Sequence, residues 1–415
     1  MKELIFLLTV SILLSSCNNS KENTMANGNP FYQEYDTPYG VPPFEQIKDE
    51  HYMQAFEDGM AQQMEEVEAI ANNTEAPTFE NTIEAFEKTG PLLNKVSKVF
   101  SNLSSAHTND SIKGLSRVVS PLLSSHRDNI FLNEKFYQRV KKLNDQKEEL
   151  NLTVEQGKLL GNYYRGFVRA GAGLNAEEKS KMRELNGKMS SLAVKFGENV
   201  LEETNSFELL VEDENELAGL SENLKNAAAD AATNRGYVEK YLFTPHKPSL
   251  IPFITYSSNR DLRMKLKKAY INQGNNDNEY DNKEIARELA NLRLQKANLL
   301  GYETWSHYVL GERMLDSPDK VFNLLDKVWP AALERAKQER DMMAKMAKEE
   351  GQDIEIGPWD WWYYAEKIKM KEYNLDEEEI RPYLKVDNVI NGTFILANKL
   401  FGMTFEEREG IPKYH

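Results

Sequence analysis

The chain is 415 residues long and carries 66 acidic against 51 basic side chains, a net charge of −15. That balance argues against nucleic acid as a partner, because phosphates select a basic surface. The single cysteine excludes a disulfide framework, and the length allows two or three domains of about 150 residues, each able to bury a core.

In chain order, Met1-Lys2-Glu3 opens an apolar stretch from Leu4 to Leu14, followed by Leu14-Ser15-Ser16-Cys17. A run of this length fits the h-region of a secretory signal. It falls short of the roughly 20 residues that cross a bilayer. Leu-Ser-Ser-Cys is similar to the lipobox of bacterial lipoproteins. Residues 1–17 are therefore expected to be a lipoprotein signal peptide with Cys17 as the lipidated residue, and 18–40 a polar tether. This places the protein outside the cytoplasm, on the periplasmic or cell-surface side, held to the membrane by lipid only.

Beyond residue 40 the pattern is helical. Thr78 caps a helix carrying Phe79, Ile83 and Phe86, with Gly90 as its stop. Asn175 and Glu178 form a capping box. They open a long helix whose Met182, Leu185, Met189, Leu192 and Phe196 recur at three and four, a seam for another helix, with its methionines read as core. Phe207–Glu212 and the proline-punctuated Tyr241–Tyr256 carry the strand signals, a small β element near 205–255. Asn275–Asn282 reads as a solvated polar loop, since it lacks the EF-hand spacing. Ile285, Leu289, Leu292 and Leu299 form a helical stripe closed by Gly301. Ser317-Pro318 starts a further helix that Pro330 is expected to kink or end.

The densest signal is Pro358-Trp-Asp-Trp-Trp-Tyr-Tyr-Ala-Glu-Lys367, with five aromatics in the six positions 359–364. As a helix it places Trp359, Trp362, Tyr363 and Glu366 on one face and Trp361, Tyr364 and Ile368 on another. Such a helix is either buried on both sides or lines a cavity. Periodicity alone leaves both open.

Chemical motifs are sparse. Of the six histidines (His51, His107, His126, His246, His307, His415), the closest two are 19 positions apart, and no His-Glu-x-x-His occurs. The phosphate-cradling glycine motifs and the Gly-x-Ser-x-Gly elbow are absent as well.

A set of short segments is more specific. Asp360–Lys367 resembles a segment of bacterial peptidyl-dipeptidases (dipeptidyl carboxypeptidases), in the thimet oligopeptidase-like family of zinc metallopeptidases. Asn29-Pro30-Phe31, Pro42-Pro43-Phe44, Ala76–Thr82, Phe167–Ala172, Asn259–Arg263, Leu292-Arg293, Leu299–Tyr302, Pro382-Tyr383-Leu384 and Leu400–Phe405 follow the family's order. The resemblance runs from about residue 29 to His415.

The resemblance implies a mainly α enzyme with two helical regions flanking a peptide channel. It divides the chain into an N-terminal helical domain at 41–250 and the first part of a catalytic domain at 251–415. In the family, zinc is held by two histidines of His-Glu-x-x-His and a later glutamate, and the motif's own glutamate activates water. None of these can be placed on this sequence, so no catalytic and no metal residue is carried over. The zinc ligands are expected C-terminal to His415, and this chain by itself is expected to be inactive. The implied partners are short peptides, with the protein a monomer. A non-enzymatic helical peptide-binding lipoprotein and an endo-acting oligopeptidase are the alternatives.

Overall fold

The computed structural model describes residues 28–375 and 377–415. The expected signal peptide and Cys17 lie outside them. The first half is built from α1 (Glu50–Ala71), α2 (Ala85–Glu87), α3 (Pro91–Ala106), α4 (Asp110–Phe131), α5 (Glu134–Asp145), α6 (Val154–Ala170) and α7 (Ala176–Ser206). A two-stranded antiparallel sheet follows, β1 (Leu209–Val211) on β2 (Tyr241–Phe243), with α8 (Glu222–Asn234) between the strands. The remainder comprises α9 (Lys247–Tyr256), α10 (Arg260–Ile271), α11 (Lys283–Leu299), α12 (Trp305–Leu310), α13 (Pro318–Glu349), α14 (Trp361–Tyr373), α15 (Glu377–Ile380) and α16 (Val386–Phe401). The fold is mainly α, as the sequence indicates. Among the described residues no helix is long and apolar enough to cross a membrane.

Four separate apolar clusters hold the helices. Phe31, Tyr52, Phe56 and Phe100 centre the first. The second is an aromatic stack in which Phe136 lies edge-on to Phe86 and to Phe167, both at 5.0 Å. The third packs the sheet on α9 and α10, with the Phe243 and Phe253 rings 4.4 Å apart. The fourth is small: Met343 and Ala347 of α13 against Tyr363 and Tyr364 of α14.

Several local readings require correction. The tether expected to run to residue 40 ends earlier, because Phe31 is 1% exposed and packs against Tyr52, while the Asn29 side chain donates to the His51 carbonyl at 2.9 Å. Thr78 does cap, and Asn81 completes the box. The turn they open, Phe79–Glu84, is a π-helix, and buried Arg139 supports it by donating to the Asn81 side chain at 2.8 Å and to the carbonyls of Asn73 and Glu75. In 241–256 only the first three residues pair as a strand. Pro248 sits in the first turn of α9, where its missing N–H has no helical partner to lose, so the proline pattern starts a helix instead. The expected domain boundary at 250 thus falls inside α9. Pro330 lies within α13, which continues through it. The 274–282 loop is tied down: buried Glu203 of α7 accepts from the Gly274 N–H and from the Asn276 and Asn278 amides at 2.6 and 2.7 Å.

His126, buried on α4, places Nε2 2.7 Å from the Gln63 Oε1 of α1. Burial pushes its pKa below the ordinary histidine value. The folded state keeps the ring neutral where the unfolded chain takes up a proton. Its contribution is therefore intact above about pH 6.5 and is lost as pH falls below that. His126→Gln, which keeps a donor for Gln63, is expected to flatten the loss of stability between about pH 6.5 and 5, as read from urea midpoints of variant and parent at each pH.

Candidate functional site

The aromatic segment is anchored by one buried carboxylate. Asp360 is 0% exposed and precedes α14. Arg260 reaches it through Nε at 3.1 Å to both oxygens and Nη2 at 2.8 Å, and Arg263 through Nη2 at 2.9 Å. The Gly357 N–H donates to the same carboxylate at 3.0 Å. Arg263 is itself 1% exposed. Its other nitrogens donate to the carbonyls of Trp359 (3.1 Å) and Ser257 (2.7 Å), and its guanidinium lies 4.0 Å from the Tyr363 ring centroid. Two sequence segments that resembled the family, Asn259–Arg263 and Asp360–Lys367, are thereby joined at one point.

This arrangement corrects the helical reading of the run. Helix α14 begins at Trp361, so Trp359 and Asp360 form the turn ahead of it and Trp359 shares no helical face with Trp362. Tyr363 and Tyr364 are buried, whereas Trp362 is exposed. The run is half core and half wall: Tyr363, Lys367 and Met370 border a groove of about 1470 Å3 shared with Leu220, Pro252 and Tyr256.

A second cavity, of about 930 Å3, opens between α4, α6, α7, α11 and the α12 turn. Its lining includes Arg127, Arg165, Arg169, Arg293 and Lys296 against only Asp128 and Glu312. Glu312 serves two of the arginines, at 3.4 Å from Arg165 and 3.1 Å from Arg169. Arg169 also donates to the Tyr308 carbonyl at 2.7 Å and covers that ring at 4.2 Å. Lys296 donates to Asn186 Oδ1 at 2.7 Å, and the Asn186 amide donates to Asp128 Oδ1 at 2.8 Å, a chain linking α11, α7 and α4. Burial pushes the Asp128 carboxyl up and the Lys296 amine down from their ordinary values. Asp128 Oδ2 is buried and has no hydrogen-bond partner.

The sequence had marked Arg169 and Arg293 only within segments of resemblance. Arg165 and Lys296 carried a weaker signal, the i,i+4 spacing of Arg165 with Arg169 and the i,i+3 spacing of Arg293 with Lys296, which put each pair on one helix face, and Arg127 carried none. For a metal the picture differs. Among the described residues no group of three or more His, Cys, Asp or Glu is placed to hold an ion. The His107 and His415 rings approach to 4.5 Å with no third ligand type beside them. The zinc implied by the resemblance therefore finds no fitting ligand set among these residues.

Residues 253–415 match the profile of Peptidase family M3. The dipeptidyl carboxypeptidase of Escherichia coli (strain K12) is 35% identical over 393 residues, 94% of this chain. The chain belongs to peptidase family M3. The dipeptidyl carboxypeptidase of Salmonella typhimurium is 32% identical over 388 residues, 93% of this chain and 57% of that protein. The oligopeptidase A of Haemophilus influenzae is 32% identical over 380 residues, 91% of this chain and 56% of that protein. This M3 chain spans 58% of the length of the E. coli relative. The Asp360 cluster lies wholly inside the matched stretch, and the basic cavity joins helices on both sides of residue 253.

Removing Asp360 strands Arg263 as a buried charge. Asp360→Ala is expected to destabilise by about 3–5 kcal/mol, seen as a lower melting temperature and faster hydrogen exchange in α14. Arg260→Ala, at the more exposed rim, is expected to have a smaller effect in the same measurements.

Proposed function

We propose that the complete protein is an exported zinc peptidase that releases dipeptides from the C-terminus of short peptides. The observation that carries this reading is the 35% identity to a dipeptidyl carboxypeptidase across 94% of the chain. Identity to the two dipeptidyl carboxypeptidases (35% and 32%) equals or exceeds that to the oligopeptidase A of H. influenzae (32%), which favours the exo mode. Exposed apolar helix faces also support it. Phe322, Leu325 and Trp329 of α13 recur at helical spacing and stay exposed, and α16 has no buried residue. Apolar faces of this extent mark a contact surface, and we assign them to the remainder of the peptidase domain. Zinc and its ligands belong to that remainder in this reading, so no reaction step is assigned to residues of this chain.

The full-length protein is expected to release dipeptides from peptides with a free C-terminus, to spare the C-terminal amides, and to lose activity with a chelator. Release of single amino acids would reject the peptidyl-dipeptidase assignment. The 415-residue chain alone is expected to hydrolyse no peptide, and metal analysis finding one zinc per molecule would contradict the placement of the ligands. Export by a lipidated Cys17 is part of the same proposal. Cys17→Ser is expected to move the protein from the detergent phase to the aqueous phase on partition, and an unchanged distribution would remove the anchor.

A further inference from the structure

We infer that the basic cavity between α4, α6, α7, α11 and α12 selects acidic peptides, its arginines binding substrate carboxylates. The inference rests on the peptidase reading above and adds a substrate class to it.

The charge distribution is the starting point. In a chain of net charge −15, this cavity gathers five cationic side chains against two carboxylates. Those cations are largely unneutralised. Among the described residues Arg127 and Arg293 make no salt bridge to a carboxylate, although the charge of Asp128 acts on Arg127 across the cavity; each rests against a ring, 4.8 Å from Phe131 and 5.9 Å from Trp305. Arg165 and Arg169 share the single charge of Glu312. Lys296 is bonded to an amide oxygen, not to a carboxylate. Guanidinium groups held this way present planar forks that fit carboxylates in a bidentate manner.

Two further features favour a peptide over a bare oxyanion. The volume, about 930 Å3, lies at the upper end of ligand pockets and takes several residues. Its lining also includes Met189, Ala193 and Leu289, apolar ground for side chains. Among all those cations Asp128 presents a buried oxygen with no partner. A peptide N–H or ammonium group supplies the donor that this oxygen lacks, whereas phosphate brings a like charge towards the carboxylate. A peptide with acidic side chains meets both requirements at once.

The test uses the full-length protein and two short peptides differing only by glutamate against glutamine at one position. Calorimetric Kd values are measured for both, with inorganic phosphate as competitor, alongside kcat and KM for their hydrolysis. The glutamyl peptide is expected to bind on the order of tenfold tighter, as for one charge-assisted hydrogen-bonded pair. The preference is expected to appear in KM rather than kcat and to shrink towards unity in an Arg127→Gln/Arg293→Gln variant. That ratio is internal to each enzyme preparation, so a poorly folded variant does not mimic the result; Arg293→Lys is expected to retain part of the preference. Equal Kd values for the two peptides overturn the inference, as does phosphate binding as tightly as the glutamyl peptide. If neither peptide is cleaved but the glutamyl one binds selectively, the peptidase reading fails and the acidic-peptide site stands. If both are cleaved with equal kcat/KM and equal Kd, the reverse holds.

Discussion

The carboxylate of Asp360 is the point on which the second half of the molecule depends. It is fully buried, and five donor contacts from Arg260, Arg263 and Gly357 converge on it. An ion pair this deep is a weak source of net stability, because desolvation offsets most of the attraction. Its effect is on specificity of arrangement. Arg263 spends its remaining donors on the Ser257 and Trp359 carbonyls, so the end of α9, the face of α10 and the turn before α14 are fixed in one geometry. The α13–α14 pair has a small apolar cluster of its own. Without the buried charge it would have little beyond its contact with α9 to set its position on α10.

That constraint also explains the aromatic run. Five large rings in six positions are more than one helix face can bury. The chain resolves this by starting the helix only at Trp361 and leaving Trp359 in the turn before it, where Lys268 lies 5.4 Å from its ring. Tyr363 and Tyr364 take the core positions, and Tyr363 also borders the groove, with Glu366 and Lys367. Core and wall were competing readings of one segment, and the segment serves as both.

Legibility in the sequence follows the range of the interactions. Caps are local, and Thr78, Asn175 and Ser317 all accept the expected N–H at the third helical position. The stripe on α11 was equally clear, and its Leu289 and Leu292 are buried. The 241–256 segment misled because prolines mark strand edges and helix starts alike, and only the context of α9 separates them. Arg263 was one arginine in a helical pattern until its carboxylate, 97 residues away, was in view. The basic cavity was the least visible feature, since its cations come from separate helices, each of which looks solvent-facing by its own period. Family membership was readable from ordered short segments, while the site's charge needed the fold.

Helix α7 has a mechanical consequence. Near its middle, Asn186 is tied to Lys296 of α11. About 25 Å further along, at 1.5 Å per residue, Glu203 grips the loop that leads into the same helix, with Asn199 bonded to Asn282 between them. The two rods are thus clamped at both ends of their shared span. They cannot scissor apart to admit a ligand, so the width of the basic cavity along this pair is a fixed gauge. Helix α4 is held to α7 in the same way, by Asp128 at Asn186 and by Arg117 at Glu198, so any breathing at the mouth falls to α6 and the α12 turn.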